Sequence, residues 1–237
     1  MQAARQLTLK KQGRQTDMNV EQIVSLVGTA TLQTLSMVFF STIFSLVLGL
    51  PLGILLCVTD PVSGIMPKPI LNQILTRIVN VLRSFPFIIL MILLFPLARI
   101  IVGTSIGTTA TIVPLSIAAA PFVARVIESA LKEVDPGVVQ AARAMGSTNF
   151  QIIMKVLLPE SMPSLVAGIT LTIINLIGYS AMAGAIGGGG LGDLAIRYGY
   201  QRFRTDIMVV SVIVILVLVE VIQIIGTKLS SHLLAKR

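Results

Sequence analysis

The chain has 237 residues, of which 54% are hydrophobic and only 12% charged, with a mean hydropathy of +0.92. A soluble domain usually carries about 25% charged residues, so the composition points to a membrane protein, which the uncharged runs below confirm. The net charge of +8 comes from basic residues scattered among apolar runs. It lacks the dense patch and aromatic interleaving of a nucleic-acid surface, and reads as lipid contact and topology.

Residues 1–19 are polar and lack an apolar core, so they are no signal peptide and are expected to be mobile. No Asp, Glu, Lys or Arg lies in 22–59, 100–124 or 161–192. A bilayer core takes roughly 20 residues of helix, so each run is long enough to cross. Lipid leaves only helices and closed barrels, because backbone groups must bond internally. These runs are too long and too rich in Leu, Ile, Val and Ala for barrel strands. The fold class is therefore all-α integral membrane, with five transmembrane helices predicted at 22–56, 71–97, 105–128, 163–185 and 207–227.

In the first, a split at Gly49–Gly53 around Pro51 would give a sixth span, but the part beyond Pro51 is too short. Cys57, the single cysteine, reads as packing. The second carries Arg83 and the fifth carries Glu220. A mid-bilayer charge costs roughly 2.5–3.5 kcal/mol, which many apolar neighbours outweigh near an end or against protein. Their lone opposite signs suggest a pair, although both also suit a headgroup position. In the third, Pro114, Pro121 and Ala118–Ala120 suggest a local bend at either a pore or a dimer interface.

The fourth span supplies small and polar groups, Ser164, Thr170, Thr172, Asn175, Tyr179 and Ser180, as candidate walls of a translocation pathway. Met162 and Met182 either seal that pathway or pack. Gly187-x-Gly189-x-x-Gly192 matches a dinucleotide fingerprint as a string, but it follows a membrane helix with no βαβ unit around it. It reads as a flexible re-entrant or external loop after the fourth span, or one that meets a partner or shapes the pore mouth. His232, the single histidine, cannot build a metal site alone.

The segment between the third and fourth spans carries most information. Asp135 caps and Pro136 opens a short helix, which stops at Gly146. Ser147 or Thr148 caps a second helix that Pro159 ends. Around Gln140 and Arg143 the first helix holds Ala141, Ala142 and Ala144, small enough for another surface to approach its backbone, and Met145 adds an adaptable apolar contact. In the second, Ile152, Ile153, Val156 and Leu157 form a stripe at i, i+3 and i+4 spacing that should pack on the bundle. One helix is offered outward and one anchored inward. From composition alone an interfacial helix lying on lipid fits as well.

This segment resembles the EAA loop of ABC-transporter permeases. Ala141, Ala142, Gly146, Leu158 and Pro159 match that pattern in place, Val156 stands where Ile is common, and Gln140 stands where Glu is usual. The stretches RSFPFIIL (83–90), VGTSIG (102–107), VPLSIAAAPF (113–122), KVLLPE (155–160), GYSAMAGAIGGGGLG (178–192) and RYGY (197–200) are similar to the bacterial methionine-importer (MetI-like) permease family. The resemblance implies a type I importer permease fold over residues 20–237, with a coupling loop at about 136–160. It implies a homodimer in the inner membrane, two copies of a cytoplasmic ATPase that bind ATP and Mg, and a periplasmic or lipid-anchored methionine-binding protein. The cargo it implies is L- and D-methionine.

It also places the N-terminus outside and the loop and C-terminus inside, which the basic residues, ten inside against eight outside, leave open. The implied ATPase-coupling residues are Gln140, Ala141, Ala142, Arg143, Met145, Gly146, Val156, Leu158 and Pro159. Gln140 removes a charge, so docking is expected to depend on shape around 141–146. The chain itself holds no G-x-x-x-x-G-K-[ST], so no nucleotide site, cofactor or catalytic residue is expected in it. Other readings are an importer of another amino acid or small solute, and a stand-alone secondary transporter, whose inverted repeats are not evident. No His cluster, Cys pair or G-x-S-x-G supports an enzyme.

Overall fold

The computed structural model describes residues 19–235. Apart from Asn19, the segment expected to be mobile lies outside the described residues, as do Lys236 and Arg237. Helix α1 spans Val20–Val58, α2 Pro69–Ser84, α3 Phe87–Val102 and α4 Thr108–Lys132. The loop helix α5 spans Pro136–Ala144, and α6 spans Asn149–Ile152. Helix α7 spans Met162–Gly184, α8 Gly190–Leu194 and α9 Thr205–Ala235. Among the described residues four helices are long and apolar enough to cross a membrane, and five segments result if the bent pair α2–α3 counts as one.

Helix α1 is a single helix with Pro51 inside it. Its glycines serve packing. A Cβ on Gly49 would lie 2.6 Å from Val123 Cγ1, and one on Gly53 2.6 Å from the Ala124 carbonyl oxygen. Only glycine lets α1 and α4 approach so closely. Helix α4 is likewise continuous through Pro114 and Pro121.

The second apolar stretch departs from expectation. It breaks at residues 85–86, and α2 and α3 bend by 104° there. The cause is local. Phe85 precedes a proline and is extended (φ −68°, ψ 133°), and Pro86 is extended in turn (φ −57°, ψ 126°). Hydropathy runs unbroken across the bend, which is why it reads as one span in sequence.

Among the described residues the core forms four clusters, two of which frame the bundle. Met37, Leu115, Leu176 and Ile177 join α1, α4 and α7, while Cys57, Ile127, Leu131, Ile152 and Leu165 close the bundle beneath the loop. Helix α9 buries few residues and presents Val209, Ile213, Leu216 and Val217 outward. Lipid tails are as apolar as these side chains, so that face needs no protein cover.

The glycine run after α7 is a packed turn. Gly187, Gly189 and Gly190 have φ of 87°, 78° and 80°. The Gly190 N–H donates to Gln33 Oε1 at 2.9 Å and the Leu191 N–H to Thr34 Oγ1 at 2.9 Å. Gly190, Leu191, Gly192 and Leu194 are buried. This corrects the expectation of a flexible loop: side chains of α1 satisfy the amides that would otherwise keep it open to water.

Candidate functional site

The connection between α4 and α7 forms as its local chemistry dictates. Asp135 Oδ1 accepts from the Gly137 N–H at 2.7 Å, with Pro136 in the first turn of α5. Gly146 takes φ 79°, and the Ser147 N–H returns to the Ala142 carbonyl at 3.1 Å. Thr148, and not Ser147, caps α6: its Oγ1 accepts from the Gln151 N–H, while the Thr148 N–H donates to Gln151 Oε1 at 2.9 Å.

Beyond α6 the chain passes through a π-helical turn, Ile153–Leu157, and a last turn, Leu158–Glu160. The Leu158 N–H bonds to the Ile153 carbonyl. Pro159 has no N–H for the Lys155 carbonyl, and a widened turn accommodates its ring. Pro159 was expected to end this helix; the helix instead continues to Glu160.

Exposure divides the loop in two. Gln140, Ala141, Arg143, Ala144, Met145 and Gly146 are exposed, with Met145 at 79%. Ala142 is buried. Ile152 and Leu157 are buried in the core cluster, with Ile153, Val156 and Leu158 packed against it. Between α5 and the end of α1 lies a cavity of about 330 Å³ bordered by Cys57, Ile65, Lys132, Gln140 and Arg143. Arg143 donates to the Ile65 carbonyl at 2.5 Å, so α5 is tied to the loop after α1.

A charge network beneath the loop was not foreseen. Lys132 Nζ bonds Asp60 Oδ2 at 2.7 Å and Glu128 Oε1 at 2.8 Å. Arg125 Nη1 bonds Glu128 Oε2 at 2.6 Å, and its Nη2 donates to Asn80 Oδ1 at 2.9 Å. Glu128 is buried and held by two cations. Burial pushes the Asp60 carboxyl up, but the hydrogen bond from Lys132 and those from the Ser63 and Val62 N–H groups outweigh it. Asp60 is held well below the usual carboxylate range. The network joins α2, α4 and the loop after α1. The i, i+3, i+7 spacing of Arg125, Glu128 and Lys132 was readable, whereas the partner Asp60 lies 72 residues from Lys132.

The expected Arg83–Glu220 pair is absent among the described ion pairs. Arg83 lies 6.0 Å over the Phe122 ring, and Glu220 is exposed on α9. The two residues sit on helices that share no packed face.

The pathway candidates of α7 fall on different faces. Thr170 and Ser180 are buried within the subunit and donate to the Val166 and Ile177 carbonyls at 2.8 and 2.7 Å. Thr170 also sits against Gly226 of α9. Asn175 and Met182 share an exposed face with Leu171. Ser164 donates to Glu133 and borders an open groove of about 500 Å³ between α4 and α7. Tyr179 stacks on Phe87, with centroids 4.3 Å apart and planes at 9°, and borders a cavity of about 260 Å³ at the α2–α3 break. Arg83 and Phe122 border both spaces.

Membrane-crossing helices that carry one exposed short helix, α5, followed by a helix anchored in the core define an integral membrane component with a surface for a partner. Residues 49–233 match the family described as binding-protein-dependent transport system inner membrane component. The chain is 53% identical over 201 residues to a probable D-methionine transport system permease protein of Vibrio cholerae, covering 85% of this chain and 89% of that one. It is 50% identical over 210 residues to the corresponding protein of Pasteurella multocida, covering 89% and 96%. A solved structure of a methionine ABC transporter in inward-facing conformations superposes with a TM-score of 0.88 at 45% identity, covering 91% of this chain and 99% of that chain. The chain therefore belongs to the binding-protein-dependent transport system inner-membrane component family, and its fold is that of the MetI-like importer permeases.

Proposed function

We propose that this chain is the membrane-spanning subunit of an ATP-driven methionine importer. It is a transport subunit and not itself an enzyme; ATP and Mg belong to a separate ATPase. The cargo reading rests on likeness to permeases named for D-methionine transport. The coupling reading rests on one observation: α5 exposes Ala141, Ala144, Met145 and Gly146, while the next helix is locked into the core through Ile152 and Leu157.

A partner seated on α5 pushes on a lever whose other arm is part of the bundle. Such a push travels two ways, through Ile152 and Leu157 to the α4–α7 core, and through Arg143 to the loop after α1. Movement of the ATPases then switches the spans between inward- and outward-facing arrangements.

In this reading Gln140, Ala141, Arg143, Met145 and Gly146 form the docking surface, the buried Ala142 holds that helix against the bundle, and Val156, Leu158 and Pro159 belong to the anchoring arm. Residues 20–237 act as one transmembrane domain, because α1 packs along α4 from one of the two framing clusters to the other. The assembly is two copies of this chain, two ATPases inside and a methionine-binding protein outside. The N-terminus is outside, and α5 and the C-terminus are cytoplasmic. Of the pathway candidates, Ser164 and Tyr179 border the open groove and the cavity at the break, and are the stronger choices.

Affinity purification of the chain from native membranes tests the coupling reading. A cytosolic ATPase co-purifies, and Ala141→Leu, which places a branched side chain on the exposed face, reduces its recovery at unchanged permease yield. Active transporter recovered without any ATPase would overturn the reading.

A further inference from the structure

Arg83 is an ionisable group in the spans that the mechanism above leaves without a task, and it borders two open spaces. Arg83 lies in the last turn of α2, just before the break at residues 85–86. Its guanidinium lies over Phe122, which is ten residues from the Lys132 end of α4. At 1.5 Å per residue this is about 15 Å along a helix of about 37 Å, within an apolar stretch and one turn from Arg125. An arginine there is costly unless it faces protein or water and finds an anion. Among the described residues Arg83 has no ion pair and rests against an aromatic face.

The surroundings are specific. The cavity at the break is bordered by Arg83, Phe85, Phe87, Ala118, Phe122 and Tyr179. The Phe87–Tyr179 stack forms one wall, and the bend itself brings Phe85 and Phe87 to the same space as Arg83. Arg83 and Phe122 also border the separate groove that runs past Ser129, Glu133 and Ser164. One cation set among the aromatic faces that border this cavity makes a pocket for a small anion with an apolar body. Guanidinium groups match carboxylates in geometry, and aromatic rings favour a thioether sulfur.

We propose that Arg83 and the surrounding aromatic residues form a transient substrate station in the pathway. The guanidinium takes the carboxylate of a zwitterionic amino acid, and Phe85, Phe122 and Tyr179 take its apolar side chain. The station rests on the importer reading above and adds a contact to it. The substrate carboxylate then supplies an anionic partner that no described carboxylate of this chain gives Arg83.

Two experiments on the complete complex test the station. The first measures ATP-dependent uptake of labelled methionine in vesicles with the ATPase and binding protein present. A charge-assisted hydrogen bond governs affinity by about tenfold or more. Arg83→Gln should lower uptake by about that factor and Arg83→Lys should recover part of it, with both complexes purified in native amounts. Uptake by Arg83→Gln equal to native would overturn the proposal.

The second keeps Arg83 and so does not depend on that variant folding. With Cys57→Ala, a cysteine placed by Ala118→Cys reports on the cavity through a water-soluble thiol reagent. Excess methionine should slow labelling several-fold, and methioninol, which lacks the carboxylate, should not. Equal protection by methionine and methioninol, or no protection by any zwitterionic amino acid, would overturn the station. If the native complex fails to take up methionine while leucine or another zwitterionic amino acid protects the cysteine, the cargo reading fails and the station stands.

Discussion

Gly146 offers the cleanest perturbation of the coupling loop. Its φ of 79° lies in the left-handed region, and a Cβ built there meets no atom within 4 Å. In the free chain Gly146→Ala therefore meets no steric obstacle and feels only the backbone. A non-glycine residue in this conformation costs about 1–2 kcal/mol, which is roughly a 5–30-fold loss in the population of the formed knuckle. Asparagine tolerates the same region far better, so Gly146→Asn should lose much less despite its larger side chain.

The assay is a titration of the purified permease, in lipid nanodiscs, with its ATPase partner, read as apparent affinity. The expected order is native, then Asn, then Ala. Two results would refute the reasoning. If all three bind alike, the knuckle does not set the position of α5. If Asn is as poor as Ala or poorer, side-chain bulk at the docking face matters and backbone geometry does not.

Two further outcomes follow from the packing and the charge network. Asp60 has a folded pKa held below its unfolded value near 4, so its contribution is fully present above about pH 4 and is lost as pH falls toward the folded value. Thermal unfolding of native and Asp60→Asn protein in detergent should thus differ at pH 7 and converge in acid; a gap that widens in acid contradicts the Lys132 contact. Gly49→Leu forces side-chain atoms into Val123 and should destabilise by about 1–3 kcal/mol or prevent assembly, while Gly28→Leu, where a Cβ meets nothing within 4 Å, should be near neutral. Equal loss at both sites would contradict the close α1–α4 approach.

What could be read in the sequence was mostly local chemistry. Asp135, Pro136, Gly146 and Thr148 announce the caps and the knuckle within a few residues of the bonds they make. The stripe from Ile152 to Leu157 announces its burial by helical spacing. The break at residues 85–86 left a readable signal, a residue before proline inside an apolar run, but hydropathy is blind to direction and joined the two helices. The sides of α7 were not readable, because Thr170 and Ser180 satisfy their hydroxyls on their own helix and so sit in the core as comfortably as on a polar wall. The partners of Lys132 and Gly190 lie 72 and 157 residues away, and no single-sequence pattern names them. Arg83 looked like a candidate for pairing with Glu220 because both carry lone charges in apolar runs; only the packing shows that it faces Phe122 and an open cavity.

The central claim is that this chain moves methionine inward when a separate ATPase closes beneath α5. Its most direct test is reconstitution of the chain with its ATPase and methionine-binding protein in liposomes, followed by accumulation of labelled methionine against a gradient. The account predicts accumulation that requires all three proteins and ATP on the α5 side, and that falls with Ala141→Leu. Accumulation without the ATPase, or none with the full set while another solute is concentrated, would contradict it.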